Sequence, residues 1–215
     1  MKAKLTEAKF RPALGRVGQL CSRVVWLAAL ILICSGASAQ NMFVSGTDTR
    51  GGEIFKFSWD GKQSIFASGL NYPGDLAVDS AGNLFVADNS LGNGNIYQGS
   101  IYKYKPDGSR VTFALLDSGA RPVDLAFDSM GNLYMADLGG KIYKYDLSGA
   151  LRRHGWTTFG TVPNSAQSLA FDSAGNLFVV DVGDVSGNGN AIYKFTTRGA
   201  RSTFAKGVAL SETLS

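Results

Sequence analysis

The sequence predicts an all-β fold built from repeated four-stranded antiparallel sheets, and three observations support this prediction. The stretch DSAGNLFVAD at 79–88 returns as DSMGNLYMAD at 128–137 and as DSAGNLFVVD at 172–181. Short runs rich in aromatic and β-branched residues alternate with turns that contain Gly, which is typical of strands and hairpins. No segment after Ala39 shows sustained helical periodicity.

Each full unit contains four strand-forming segments in the same order. An inner strand, DLAVD in the first full unit, leads through a Ser-x-Gly-Asn turn into a second strand, LFVAD. After a loop of variable length comes an alternating third strand, SIYKYKPDG, and after a Gly turn a fourth strand, RVTFAL. The Gly-Asn pairs recur at a spacing of roughly 40–50 residues, the length of a four-stranded propeller blade. We expect units at about 41–70, 71–119, 120–164 and 165–215.

A single four-stranded sheet cannot cover its own apolar faces, but radially stacked sheets cover one another. We therefore predict a β-propeller of four-stranded antiparallel blades, with about four blades in an incomplete or truncated ring. The first unit matches the repeat from its second strand onward and is expected to lack an inner strand. Three alternatives remain open: the tail 207–215 completes a small four-bladed ring, the chain is a fragment of a longer propeller, or an open arc dimerises.

The N-terminal segment has the features of a secretory signal peptide. Residues 1–23 are basic, and the apolar run 24–34 is shorter than the roughly 20 residues of a membrane span. Small residues at Ala37 and Ala39 indicate cleavage near Ala39. We thus expect a signal peptide at 1–39, a propeller domain at 40–215, no membrane span in the mature chain, and a secreted or periplasmic location.

Composition after residue 39 excludes several classes of function. Six of the 21 Lys and Arg residues and one of the 17 acidic residues lie in the leader, so the remainder has a formal charge of about −1. Without a clustered basic face, no nucleic-acid partner is expected. Cys21 and Cys34 both precede residue 39, which excludes disulfides, Cys nucleophiles and Cys-ligated zinc from the mature chain. His154 alone cannot form a multi-histidine metal site.

The pattern LAxDxxGNLyVAD followed by IYKYxxxG resembles the NHL repeat of β-propellers across residues 41–205. It is also similar to blades of the SMP-30/gluconolactonase and streptogramin-lyase propellers. Those enzymes hold one divalent metal in the central channel through carboxylate and amide side chains, and the lyases also use a histidine base. The resemblance implies the propeller fold more strongly than any one activity, because unrelated functions share this fold.

Aspartates recur at three positions of the unit. Asp79 and its equivalents Asp128 and Asp172 precede Ser-x-Gly-Asn, which predicts an Asx-turn with a positive-φ Gly. Asp75 and Asp124 open inner strands, where they either face the central channel or form hydrogen bonds at the corner between blades.

The third position ends the second strand, at Asp88, Asp137 and Asp181. We expect the loops that follow to emerge at one end of the blades, which we call the loop face. Three carboxylates there are candidate ligands of a Ca²⁺ ion, which prefers oxygen ligands. The alternative is that each Asp caps the next loop by accepting hydrogen bonds from backbone N–H groups.

Two of these loops, 89–99 and 182–191, contain Gly-Asn-Gly-Asn and are candidate sites of partner contact. The alternative is a flexible surface loop without a binding role. The candidate interaction residues are Asn89, Asn93, Asn95, Asp184, Asn188 and Asn190.

The third strands also repeat Tyr-Lys pairs, at 102–105, 143–144 and 193–194. Alternation places the two residue types on opposite faces of the sheet. We expect the tyrosines to pack between blades and the lysines to be solvated, which argues against a stacking platform for nucleic acid.

These observations favour a secreted, non-catalytic propeller that acts as a binding or interaction module. Its expected partner is an unidentified protein or carbohydrate on the loop face, and self-association is a further expectation. No cofactor is expected apart from the candidate Ca²⁺. The alternative is a metal-dependent enzyme of the SMP-30/gluconolactonase or lyase kind. Because Glu53 and Glu212 are the only glutamates after residue 39 and His154 falls outside the inner strands, we assign no catalytic residue.

Overall fold

The computed structural model describes residues 32–33, 41–48, 51–89, 99–117, 119–145, 156–183 and 189–207. These residues form sixteen β-strands in four four-stranded sheets, and the described part of the chain contains no α-helix. Within the described segments, no helix is long and apolar enough to cross a membrane.

The four sheets follow one another along the chain and have the same internal order. The first two contain β1 (Leu32–Ile33), β2 (Met42–Asp48), β3 (Gly51–Phe57), β4 (Gln63–Leu70), and β5 (Pro73–Val78), β6 (Leu84–Asp88), β7 (Ser100–Tyr104), β8 (Arg110–Leu115). The last two contain β9 (Pro122–Phe127), β10 (Leu133–Asp137), β11 (Lys141–Tyr145), β12 (Trp156–Thr161), and β13 (Ser165–Phe171), β14 (Leu177–Val182), β15 (Ala191–Phe195), β16 (Arg201–Lys206).

Within each sheet every strand pairs antiparallel with the next strand in the chain. The first strands of neighbouring sheets, β5, β9 and β13, lie side by side, so they form the inner edge of a curved stack. Among the described residues the fourth sheet makes no extensive contact with the first, and the stack is an open arc. The prediction of an all-β propeller with an incomplete ring is therefore confirmed.

The first sheet differs from the expectation that its inner strand is missing. Leu32 pairs with Phe43 and Ile33 pairs with Met42, so the two-residue strand β1 lies in the inner position. Without β1, the strand β2 would present an edge of unpaired N–H and C=O groups. The segment that pairs with this edge comes from the apolar run of the predicted leader. The cleavage site near Ala39 lies outside the described residues and stays a prediction.

A β-bulge recurs at the same place in all four sheets, in the pairing of the third strand with the fourth. Register shifts follow Ile54, Ile101, Ile142 and Ile192. Each shift leaves one phenylalanine of the fourth strand without a paired partner: Phe66, Phe113, Phe159 and Phe204. Because a bulge redirects the side chain it carries, these rings leave the regular alternation of the strand.

Three of the four rings fill hydrophobic cores between neighbouring sheets. Phe66 lies 5.7 Å from Tyr104 of the second sheet, measured between ring centroids. Phe113 lies 5.6 Å from Tyr145 of the third sheet, and Phe159 lies 6.0 Å from Phe195 of the fourth. The cores therefore lie between the blades, as the burial argument predicts.

The expectation that the repeated lysines are solvated holds for Lys105, which is exposed, but not for the three central lysines of the third strands. Lys103, Lys144 and Lys194 lie opposite the tyrosines, and each is partly covered and stands over an aromatic ring of the second strand, at 5.1–5.4 Å. Each ammonium also lies within 4.0 Å of the turn aspartate of its own sheet. Because the ring and the carboxylate belong to the same sheet as the lysine, this cover does not depend on a neighbouring blade.

Candidate interaction face

The turn aspartates have the structural role that the sequence predicts. Asp79 Oδ1 accepts hydrogen bonds from the backbone N–H groups of Ala81 and Asn83, at 3.0 and 2.8 Å. Its Oδ2 accepts from the Asn83 side chain at 2.7 Å. Asp128 and Asp172 repeat all three bonds, and the turn glycines have φ between 79° and 83°. These turns lie at the end of the blades opposite the loop face.

The aspartates that end the second strands are buried and bind backbone. Asp88 accepts hydrogen bonds from the N–H groups of Asn71 and Tyr72, the latter at 2.7 Å. The donors precede the inner strand of the same sheet. Among the described residues, this carboxylate therefore caps the connection that enters the blade, whose N–H groups lie sixteen and seventeen residues before Asp88 in the chain.

The third and fourth sheets repeat this bond. Asp137 accepts from the N–H group of Arg121 at 2.9 Å. Asp181 accepts from the N–H groups of Ser165 at 2.8 Å and Asn164 at 3.1 Å, and also from the Asn164 side chain at 3.1 Å. One carboxylate in each of these three sheets thus holds the same section of backbone in place, whereas the first sheet has Gly46 at this position.

We call Tyr72, Arg121 and Ser165 the rim positions, since each immediately precedes or opens an inner strand at the loop face. Their backbone N–H groups all donate to the strand-ending aspartate. Their side chains differ in size, charge and polarity, and the Tyr72 side chain is 63% exposed. The sequence repeat does not single out these positions, although a proline follows both Tyr72 and Arg121 and marks the start of the inner strand.

The described residues contain no group of three or more His, Cys, Asp or Glu side chains arranged to hold a metal ion. The oxygens of Asp88 and Asp181 already accept two or three protein donors each. This geometry accounts for the burial of these carboxylates without an ion. Calcium binding at Asp88, Asp137 and Asp181 stays a prediction.

Two of the candidate loop residues are described, and both have structural bonds. The Asn89 side chain donates to the Pro122 carbonyl of the next sheet at 2.7 Å, and its backbone N–H donates to the Tyr72 carbonyl. The Asn190 side-chain oxygen accepts from Gly183 N–H at 2.8 Å, joining the two ends of its loop. Asn93, Asn95, Asp184 and Asn188 lie outside the described residues.

The inner-strand aspartates connect neighbouring blades. Asp75 of β5 accepts from the N–H group of Leu125 in β9 at 2.7 Å, and Asp124 of β9 accepts from Leu169 N–H in β13 at 2.5 Å. This confirms the hydrogen-bonding role at the corner between blades. Burial, reinforced by the adjacent Asp124 carboxyl, raises the pKa of Asp75 to about 9, so Asp75 is protonated at neutral pH.

With this geometry established, comparison with known proteins places the chain among the β-propellers. The family model described as strictosidine synthase-like, N-terminal, matches residues 109–145. The sequence matches no functionally curated protein. The family-model match at residues 109–145 covers too little of the chain to define its family. The NHL assignment stays a prediction.

Solved structures agree on the fold. Virginiamycin B lyase from Staphylococcus aureus superposes with a TM-score of 0.60 at 15% identity, covering 81% of this chain and 54% of the lyase. A gluconolactonase from Xanthomonas campestris gives a TM-score of 0.60 at 21% identity, covering 77% and 58% respectively. An extracellular domain from B. thetaiotaomicron gives 0.54 at 12% identity, covering 81% and 23%. The chain thus spans only 54% to 58% of the lyase and the gluconolactonase, and identities this low define the fold alone.

Proposed function

We propose that this chain is a secreted, non-catalytic β-propeller that binds a protein or carbohydrate ligand on its loop face. The observation that carries the proposal is the set of rim positions. Their backbone is held by the same carboxylate contact in three sheets, while their side chains change from Tyr72 to Arg121 to Ser165. Variable side chains on a rigid scaffold are the usual arrangement of a recognition surface.

The chemistry of the rim suits binding. Tyrosine offers a large contact area at low cost in conformational entropy, and both tyrosine and arginine are enriched where interfaces gain most of their energy. The carbonyl of Tyr72 accepts a bond from Asn89, the first residue of the loop 89–99. The exposed residue Tyr72 therefore lies beside Asn89, at the start of one of the two loops that the sequence predicts to contact a partner.

The test is a screen for ligands followed by a substitution on the rim. The full chain is labelled and applied to glycan and protein arrays, and the strongest ligand is titrated by calorimetry against wild type and Tyr72→Ala. We expect Tyr72→Ala to weaken binding by at least about tenfold, since it removes the exposed aromatic contact. The melting temperature is expected to stay close to that of wild type, because only the side chain beyond Cβ is lost.

Trp59→Ala is the matched control. Trp59 is also an exposed aromatic residue, but it lies in the turn between β3 and β4, at the end of the blades opposite the loop face. Its loss is expected to leave ligand affinity unchanged. A ligand whose affinity falls equally in both variants, or in neither, would contradict binding at the rim.

Extracellular placement has support from two directions. The N-terminal segment has the composition of a secretory leader. Two of the structurally similar chains are described as extracellular domains, from B. thetaiotaomicron, at TM-scores of 0.54 and 0.56. The NHL-type repeat pattern is compatible with the same role, since propellers serve as binding scaffolds.

A second candidate is a metal-dependent enzyme, favoured by the paired inner-strand carboxyls Asp75 and Asp124. A buried carboxyl that stays protonated at neutral pH is the kind of group that serves as a general acid. Both carboxyls, however, accept backbone bonds that join the blades. Lactonase and lyase assays with added divalent metals decide the question, and turnover that disappears in Asp124→Asn would replace the binding proposal.

A further inference from the structure

Side chains at the two ends of the arc are more exposed than the equivalent side chains between neighbouring sheets. We call the side of a sheet that contacts the next sheet its trailing face, and the side that contacts the previous sheet its leading face. Three trailing faces are buried between sheets. The trailing face of the fourth sheet has no further sheet against it among the described residues.

The exposed trailing face keeps the chemistry of the buried ones. Ile192 is half-exposed, whereas its equivalents Ile101 and Ile142 are fully buried. Phe178 is half-exposed, whereas Phe85, at the same position, is fully buried. The bulge residue Phe204 is 63% exposed, whereas Phe66, Phe113 and Phe159 contact rings of the following sheet. Phe204 contacts the Phe178 ring of its own sheet at 5.0 Å.

The leading face of the first sheet is the complementary half. Phe57 pairs in register with Met42, as Tyr104 pairs with Leu84, so Phe57 is the equivalent of the rings that receive the bulge phenylalanines. Phe57 is half-exposed, whereas its three equivalents, Tyr104, Tyr145 and Phe195, are buried.

Ile65 gives this face a character that the other sheets do not share. It pairs with Phe55, and the equivalent positions of the other three sheets hold threonine: Thr112, Thr158 and Thr203. Ile65 is 61% exposed. An exposed isoleucine in place of threonine, beside Phe55 and Phe57, makes the leading face of the first sheet an apolar patch, and such patches mark interaction sites.

We propose that the trailing face of the fourth sheet binds the leading face of the first sheet in a second copy of this chain. The contact continues the interface that the molecule already forms three times between its own sheets. Within the chain each bulge phenylalanine meets an aromatic residue of the next sheet at 5.6–6.0 Å. Between copies, Phe204 meets Phe57 of the second copy in the same way, and Ile65 lies at the margin of the contact, because its equivalents Thr112, Thr158 and Thr203 stay exposed within the chain.

The proposed contact is heterologous, because it joins different surfaces of two identical chains. Such head-to-tail contacts either close into a ring or extend into a filament, depending on the rotation between copies. In either case every chain contributes its trailing face to one contact and its leading face to another. This property allows a test that distinguishes the contact from general hydrophobic aggregation.

The test begins with the mass of the full chain in solution, measured by sedimentation equilibrium from about 1 to 100 μM, the range of moderate affinities. We expect species above the 22.8 kDa monomer, with a weight-average mass that rises with concentration. Phe204→Asp and Phe57→Asp place a charge on the trailing and the leading face respectively. Each single variant is expected to weaken association by at least about tenfold, since each buries an unpaired charge at a position whose equivalents within the chain contact the neighbouring sheet.

Mixing the two variants is the decisive step. Phe204→Asp keeps an intact leading face and Phe57→Asp keeps an intact trailing face, so an equimolar mixture is expected to form a dimer with a 1:1 composition and no larger species. Phe204 is exposed and Phe57 is half-exposed, so both variants are expected to keep the far-UV circular dichroism of wild type. Met130→Asp, at an exposed turn residue away from both faces, is the control and should associate as wild type does.

Three results would overturn the proposal. Wild type that stays monomeric over the whole range means that this face binds no second copy. Single variants that associate as strongly as wild type assign association to another surface. A mixture that stays monomeric, although each variant is folded, excludes the head-to-tail pairing.

Discussion

At the scale of single residues, aspartate performs three different structural tasks in this chain, and burial separates them. Asp79 closes an exposed hairpin turn through bonds within five residues. Asp181 is fully buried and holds backbone that lies sixteen and seventeen residues earlier. Asp75 reaches the backbone of the next blade. The hydrogen bonds of an aspartate therefore lie within one turn, within one blade or between two blades, according to its position in the repeat.

Asp181→Ala is expected to destabilise the fold by about 1–3 kcal/mol, because it leaves the part-buried backbone donors of Asn164 and Ser165 without their protein acceptor. Urea unfolding followed by tryptophan fluorescence measures the loss. Asp181→Asn keeps one acceptor oxygen and should lose less. If alanine costs no more than asparagine, the carboxylate does not hold this backbone in place.

Calcium titration separates the structural role of the strand-ending aspartates from the predicted ion site. We expect the melting temperature of wild type to stay unchanged at millimolar Ca²⁺, since the carboxylate oxygens of Asp88 and Asp181 already accept protein donors. An increase that saturates with Ca²⁺ and disappears in Asp137→Asn would establish the ion site. Mg²⁺ at equal ionic strength is the control for a general effect of salt.

At the scale of elements, the inner strands form a chain of carboxyl contacts. Asp75 links β5 to β9, Asp124 links β9 to β13, and the next equivalent position is Ser168, where the series ends. Leu125 N–H also donates to Asp124, so both carboxyls meet at one backbone donor. Burial raises the pKa of Asp75, and the adjacent Asp124 carboxyl raises it further, because two neighbouring carboxyls do not both ionise readily.

The raised pKa predicts how stability depends on pH. Folding raises the pKa of Asp75 from 3.8 to about 9, so between these values the folded chain binds a proton that the unfolded chain releases. Its contribution is complete below pH 4 and is lost as the pH rises through 9. Asp75→Asn is expected to flatten this decline and to be more stable than wild type at pH 9, by at least about 1 kcal/mol.

Urea unfolding of wild type and Asp75→Asn at pH 5, 7 and 9 tests this expectation. Asparagine can still accept from Leu125 N–H and can donate to Asp124, so the link between blades is retained. Asp107→Asn, at an exposed turn, is the control. Parallel pH dependence of wild type and Asp75→Asn would mean that Asp75 does not titrate in the folded range.

The sequence predicted the strands and turns well, because they depend on local patterns. Alternation, Gly turns and the Asp-Ser-x-Gly-Asn signature act over a few residues. The donors to Asp88 could not be found in this way, since they approach only when the chain has folded back. The partial covering of Lys103 was missed because alternation separates the two faces of a strand but does not show that a ring and a carboxylate lie beside the ammonium on its own face.

At the scale of the whole molecule, curvature follows from repetition. Each of the first three sheets turns its bulge phenylalanine toward the next sheet, and each of the last three receives one from the sheet before it. The sequence period predicted this stacking and an incomplete ring, but not which apolar side chains the two ends of the arc would expose. That result depends on the number of sheets and the angle between them, neither of which is written in any single unit.

The recurrent bulge also has a consequence for how such a chain can change over generations. Every contact between sheets uses a phenylalanine at the equivalent bulge position and an aromatic ring at the equivalent receiving position. Each sheet therefore presents the same kind of contact surface to its neighbours. Duplication of one unit would add a blade whose two sides already match their neighbours. The length of the arc is then free to vary by whole units, while the residues at the rim diverge independently.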